Sequence, residues 1–469
     1  MKLLLIYFLV LGFICVRDWF KVKNFDDYVV AGRKQTAPFV FMSLMATVLG
    51  ASATVGIAAR AESIGFAAFW WLGVGAIGFW FQAAFLSKPI HDLDVRTLPE
   101  LAEKTVGKVG RKLVGFIIAV SWIGIIAAQF AAVAGFIGLV LGHDAGTMSV
   151  VITAAIVIVY TLLGGQLSVV RTDALQFGIL TVGFAAAAIY CMVAGNGGAA
   201  EAASSIGNAA GNAASSVASL GDFSLLNEKF GIADLAMMLF TVGGAYFLGP
   251  DVISRNLVAK DATAAKKPVI VGSFAILVFS VIIVYLGMWA HAYAGGISAV
   301  AAGAGSAVNP LFHLASNVLP LPLAALLSVG LLSALLSSAD TCLINSAAIF
   351  GSDILGTKRI AVVRILVVII GIIAMILALG GKDIIALLTM AYSVYTPGIV
   401  APLAVAIIAH KKFIIKKNLW YAGVCLGGLF GLIPAILSTF KISTPEYMPH
   451  IGIAISLIFA LGSLRKKSC

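Results

Sequence analysis

The stretch Leu331–Ser346, LLSALLSSADTCLINS, decides how the rest of the chain is read. It lies inside an apolar run from Leu319 to Ile354. At about 1.5 Å of rise per residue, that run is long enough to cross a bilayer as a helix. Midway along it stand Ser333, Ser337, Ser338, Asp340 and Thr341. Ser337 comes three residues before Asp340 and four before Thr341, so the three share one helix face. Ala334 stands in the same relation to Ser337 and Ser338. A carboxylate at the bilayer centre costs at least ~2.5 kcal/mol by insertion scales. Hydroxyls, a carboxylate and backbone carbonyls are the ligand set of a hard cation. Each serine alone could bond back to a carbonyl one turn earlier, with Asp340 in a structural bond. As a cluster with Asp340, they point to an ion site inside the membrane.

Working outward, composition sets the class. The chain has 469 residues, of which 61% are hydrophobic and 11% charged. A soluble core cannot hide that much apolar surface, so the expectation is an all-α polytopic membrane protein. Thirteen apolar segments follow, near 2–16, 37–61, 65–87, 112–141, 147–164, 172–194, 232–254, 268–291, 319–352, 360–380, 384–410, 418–438 and 447–464. With the amino terminus outside and the carboxy terminus cytoplasmic, 26 of the 31 Lys and Arg fall on the inner face. That is the positive-inside pattern, and it accounts for the net charge of +11 without nucleic acid. An integral plasma (inner) membrane location follows, with the lipid bilayer as partner and no obligatory protein partner evident. Met1–Val16 reads as an anchor helix, because the basic residues follow it and no small-residue cleavage site is convincing. Cys15, Cys191, Cys342, Cys425 and Cys469 show no metal spacing, and the six His fall in loops or at span ends. A membrane-embedded enzyme would need a nucleophile–base or metal set, and no such set is seen.

Two segments read as interrupted helices. LGASATVGIAARAESIG, from Leu49, is a poor match to a firm helix; carbonyls of Ala51 and Thr54 could lack helical partners there and face a cavity. TVGGAYFLGPD, from Thr241, holds Gly243, Gly244, Gly249 and Pro250. Each opens a set of five spans, 37–194 and 231–410, and an odd number of spans inverts the second set. That is the arrangement of an inverted-repeat transporter with its site at the two breaks. The remaining divisions are an anchor helix and inner loop (1–36), an outer Ala/Gly/Ser loop (195–230), and two C-terminal helices with a basic tail (411–469). Arg60 and Glu62 either touch a charged solute or form structural pairs. Gln129, Ser52, Gly244, Tyr246 and Tyr392 are further candidates for the solute site. Gly164 and Gly165 end one helix before Asp173, whose place near a helix start also suits the dipole.

Four stretches together resemble the sodium:solute symporter family, which has a leucine-transporter-like fold. They are GASATVGIAA (Gly50–Ala59), GGQLSVVRTDALQ (Gly164–Gln176), GPDVISRNLVAKD (Gly249–Asp261) and SALLSSADTCLINSAAIFGSDI (Ser333–Ile354). They occur in the family's order over about Tyr28–Pro402. The resemblance implies a sodium site on the carbonyls of Ala51, Thr54 and Ala334 and the hydroxyls of Ser337 and Ser338. It also implies a possible second cation or proton site at Asp173, Asp340 and Thr341. Departures fall at Arg60, Glu62 and Ser254, and no residue set diagnostic of one solute appears. The expectation is sodium-coupled symport of a small organic solute by alternating access, with sodium as the transported ion and no organic cofactor. A proton-coupled symporter of the same fold is the alternative, and a solute sensor without transport is a third possibility.

Overall fold

A helix in hydrocarbon satisfies its own backbone, so apolar runs of this length have one local solution. The computed structural model describes residues 2–141, 146–193, 223–293, 309–380, 384–439, 445 and 447–466, and those residues are predominantly helical. Among them, nine helices are long and apolar enough to cross a membrane. Lys2–Trp19 and the shorter apolar helices Ala37–Val48 and Met448–Gly462 accompany them. Most of the outer loop at 195–230, residues 195–222, lies outside the described residues.

Ile360–Leu379 shows why these helices lie in lipid. Val363, Val367, Ile370, Ala374 and Ala378 recur at helical spacing and are buried against the protein. The opposite face exposes Ile365, Ile369, Ile372, Ile373 and Ile376. A helix apolar on both faces, with one of them exposed, needs a hydrocarbon solvent.

Leu321–Ile349 is different. Every residue from Val329 to Ile349 is buried. It packs against Thr147–Val193, Lys108–Leu141 and Ala37–Val48, which makes it the centre of the molecule. Its Ser and Asp residues therefore face protein on all sides.

Thr147–Val193 is a single element only nominally. Gly165 has φ +59°, and a Cβ there would lie 2.6 Å from the Tyr28 ring. Glycine both adopts the left-handed conformation and admits the ring, so the helix ends and restarts at the Gly164–Gly165 pair. Among the described residues, the all-helical expectation misses one small sheet: Phe413–Ile415 pairs antiparallel with Leu464–Lys466, with Ile414 opposite Arg465. That pairing ties the chain's end to the turn after Ala401–Ala409.

Candidate functional site

The first interrupted helix runs Ala37–Val48 and departs from helical geometry at Leu49 (ψ 39°). A wide turn, Ser52–Gly56, then leads into Ile57–Ile64. Gly50 allows the break to meet the central helix. A Cβ on it would stand 2.2 Å from Ser338 Oγ, so any larger residue would push the two helices apart. At the break the Ala51 N–H donates to Gln129 Oε1 at 3.0 Å. Thr47 is four residues before Ala51, so its carbonyl loses the regular helical donor.

Ser338 fills that gap. Its Oγ donates to the Thr47 carbonyl at 2.7 Å and to the Ala334 carbonyl at 3.2 Å. Ser337 Oγ donates to the Ala46 carbonyl at 2.8 Å and also to that of Ala334 at 3.0 Å. Two hydroxyl protons are thus spread over four contacts. Three carbonyls and two hydroxyls converge in a water-excluded spot, a neutral oxygen cage of the sort that replaces an alkali ion's hydration shell.

The expected hydroxyls and Ala334 are brought together, but the expected partner carbonyls are not the ones they meet. The Ala51 carbonyl accepts from Gly56 N at 2.8 Å, and that of Thr54 accepts from Ile57 N. The wide turn re-forms backbone bonds across the small-residue run. The carbonyls left for the serines lie upstream, at Ala46 and Thr47.

The second interrupted helix runs through Ile232–Met238, a wide turn at Leu239–Gly243, and Gly244–Leu248. Gly249 is extended (φ −66°, ψ 138°), and the helix restarts at Pro250–Val258. Proline suits that first position because no intrahelical acceptor exists for an N–H there. The restart carries Arg255 inward, where it is 1% exposed. Arg255 Nη2 meets Asp173 Oδ2 at 3.0 Å, and Nε and Nη2 reach Thr47 Oγ1 at 3.1 and 2.7 Å. Nη2 also donates to Thr341 Oγ1. Ser43 Oγ donates to Asp173 Oδ2 at 2.5 Å, and Thr341 Oγ1 to Asp340 Oδ1 at 3.3 Å. Asp173, Asp340 and Thr341 are thus brought together, around a buried guanidinium that the sequence reading did not name as part of the site. The sequence signal for it was the apolar flanks, Val252, Ile253, Leu257 and Val258, on both sides of Arg255.

A small, partly open cavity of about 30 Å³ lies between the breaks, lined by Ser52, Gln129, Tyr246, Asp251, Ser338 and Tyr392 among others. Tyr392 also lines a wide vestibule of about 770 Å³, together with Arg60, Trp71, Asp234 and Ser393. Four of the seven solute-site candidates, Ser52, Gln129, Tyr246 and Tyr392, therefore share the inner cavity. Arg60 stands further out, its guanidinium 5.3 Å from the Trp71 ring centre. Glu62 Oε1 is instead 3.3 Å from His291 Nδ1. Gly244 packs toward Thr396, whose Cγ2 would be 3.0 Å from a Cβ there, so it serves helix contact. Asp251 in the cavity was not anticipated.

At the end rich in basic loops, charged groups clamp the helices. Arg111 Nε meets Asp353 Oδ1 at 2.6 Å, and its other nitrogens reach Glu103 and Glu100. Thr97 Oγ1 donates to Asp353 at 3.0 Å. Nearby, Arg96 pairs with Asp26 through two bonds of 2.5 and 2.9 Å. Those hydrogen bonds hold the Asp26 carboxyl below the usual carboxylate range and raise Arg96 in turn. Among the described residues, no group of three or more His, Cys, Asp or Glu is placed to hold a metal ion.

A sequence profile of the sodium:solute symporter family matches residues 28–415. The chain belongs to that family. Its members are transporters rather than enzymes, so this symporter needs no catalytic set. It is 26% identical over 480 residues to a sodium/glucose cotransporter of Vibrio parahaemolyticus, covering 94% of this chain and 83% of that one. Among solved structures, it resembles a substrate-bound, outward-open sodium-coupled sialic acid symporter with a TM-score of 0.77 at 16% identity, over 99% and 98% of the two chains. A nucleobase-cation-symport-1 family transporter with bromovinylhydantoin bound gives 0.60 at 14% identity, over 93% of each chain. The symporter's fold is thus that of the leucine-transporter-like carriers.

Proposed function

We propose that this symporter couples inward sodium flow to uptake of a small organic solute by alternating access. The carrying observation is the convergence of the Ser337 and Ser338 hydroxyls with the carbonyls of Ala46, Thr47 and Ala334 across the first break. Sodium entering this cage would take over the oxygens, and the hydroxyls would turn their lone pairs toward it. The ion would then join the first interrupted helix to the central one. A ligand that binds one arrangement better shifts the population toward it. Solute would enter by the vestibule, pass Tyr392 and bind between the breaks, where Gln129, Asp251 and Tyr246 offer polar contacts. Ser338 lines that same cavity, so ion and solute sites adjoin. The cavity must widen beyond its present volume for this step, and Tyr392, on the wall between the two spaces, is the side chain to move.

This reading includes thirteen spans, two inverted sets of five at 37–194 and 231–410, and a cytoplasmic carboxy terminus in the plasma membrane. The vestibule then faces outward, and the Arg111–Asp353 clamp closes the inner side. The membrane potential adds about 2.3 kcal/mol per charge per 100 mV to the drive. Hydroxylated solutes are the first candidates, given the glucose and sialic acid of the relatives and the polar lining of this cavity.

A thermal-shift screen of solutes with and without sodium would select the ligand. Uptake of that ligand into proteoliposomes should then require an inward sodium gradient. Uptake driven equally well by a pH gradient in sodium-free buffer would refute sodium coupling.

A further inference from the structure

Asp251 is a carboxylate within an apolar span, and it has no salt-bridge partner among the described residues. We infer that its partner arrives with the cargo: the transported solute carries a protonated amine, and Asp251 receives it. The inference rests on the proposed symport and deepens it. It narrows the hydroxylated candidates to those that also bear a cationic nitrogen.

Asp251 lies in the span Ile232–Val258, in the first turn of the helix that restarts at Pro250. Charged side chains in such spans pair with one another or line a substrate path. The helix dipole favours a carboxylate in that turn, though by less than insertion into hydrocarbon costs. Arg255, four residues on in the same helix, is within electrostatic reach. Its hydrogen bonds, however, go to Asp173, Thr47 and Thr341. Asp251 is therefore left to face the space it lines.

That space is the cavity between the breaks, and Asp251 is the one charged residue among those lining it. Gly249 makes room for the carboxylate, since a Cβ there would lie 2.7 Å from Asp251 Oδ1. Tyr246 and Tyr392 contribute aromatic rings to the same wall, and a desolvated cation is attracted to the face of such a ring. Ser52 and Gln129 add hydrogen-bonding groups suited to hydroxyls. Closure over the cargo sharpens the requirement. Once water leaves, a neutral cargo would strand the carboxylate. An ammonium would neutralise it and donate charge-assisted N–H bonds to its oxygens. The sodium proposed for the Ser337–Ser338 cage does not fill this role, because that cage is built from the first interrupted helix and the central one. Asp251 belongs to the second interrupted helix.

The test uses matched solutes on the full chain in detergent. D-glucosamine, ethanolamine and L-serine are each compared with a counterpart lacking the amine: D-glucose, ethylene glycol and 3-hydroxypropionate. Thermal shifts are titrated in sodium and in potassium buffer, for wild type and for Asp251→Asn. Wild type should bind at least one amine more tightly than its counterpart, and more tightly in sodium. Asp251→Asn should weaken that amine by about 10- to 100-fold, the usual loss for a hydrogen bond to a charged group, and so close the gap to the counterpart. A merely structural role would weaken both solutes alike. Wild type preferring the counterparts, or responding to no amine, would overturn the inference and leave sodium symport standing. A preference for the amine that survives in Asp251→Asn would overturn the role of Asp251. An amine bound equally well in both buffers would instead count against sodium coupling while keeping the amine. The wild-type ranking decides the solute class even if Asp251→Asn fails to fold.

Discussion

Two polar sites share Thr47 and differ in kind. On one side of it Ser337 and Ser338 face backbone carbonyls, and the cluster carries no formal charge. On the other, Asp173 and Arg255 form an ion pair that is 0% and 1% exposed. The neutral cage would tolerate the ion proposed for it coming and going, because each oxygen has a local hydrogen bond to fall back on. The charged site has no such fallback, since a lone buried carboxylate or guanidinium is expensive. On the proposed reading, the first site binds reversibly and the second stays paired.

The largest expected effect breaks the permanent side. Asp173→Asn should destabilise the protein by about 3–5 kcal/mol, the usual result of stranding one member of a buried pair. Thermal unfolding in detergent measures it, and adding Arg255→Gln should recover much of the loss. No recovery would mean that the two side chains do not act as a pair.

Ser337→Ala with Ser338→Ala should weaken sodium binding by about 10- to 100-fold, or ~1.4–2.8 kcal/mol. The sodium-dependent part of the thermal shift would measure this, because stranding the buried Ala46 and Thr47 carbonyls also lowers stability in potassium, by about 1–3 kcal/mol. An unchanged sodium response would remove the cage from the argument. Gly50→Ala sharpens the comparison from the other partner. Its Cβ would collide with Ser338 Oγ, so a loss of about 1–3 kcal/mol and a weaker sodium response are expected. Loss of stability with an unchanged sodium response would show that the close approach is only packing.

The smallest effect lies at the rim. Asp26→Asn should cost under about 1 kcal/mol, since the Arg96 pair is partly exposed. The Asp26 carboxyl is depressed in the folded protein. Its contribution is therefore present above the unfolded value of about 3.9 and lost as pH falls through the folded one. Wild type and variant should differ in Tm at pH 7 and converge in acid. A gap that widens as the pH falls would contradict that sign.

Much of the site was legible because local patterns fix it. The spacing of Ala334, Ser337 and Ser338 puts three oxygen-bearing groups on one helix face whatever surrounds them. Glycine and proline runs mark both breaks, since Gly50 and Gly249–Pro250 cannot continue a regular helix comfortably. What was misplaced was a matter of register: Ala51 and Thr54 lie in the small-residue run, yet that run re-forms its own backbone bonds. The carbonyls that become available depend on Ala51 N turning to Gln129, a residue 78 positions away. Glu62 and Gly244 were misplaced for a related reason, as their facing depends on His291 and Thr396 in distant helices.

The sequence by itself determined the solvent and the elements: apolar runs of bilayer length allow only helices, and punctuation by Gly and Pro places their interruptions. Only the tertiary structure decided which carbonyls those serines meet and that Arg255 turns inward to Asp173. Both outcomes are set by helices meeting at close range. Contacts of that kind depend on which residues lie opposite each other, and spacing along one chain does not encode that.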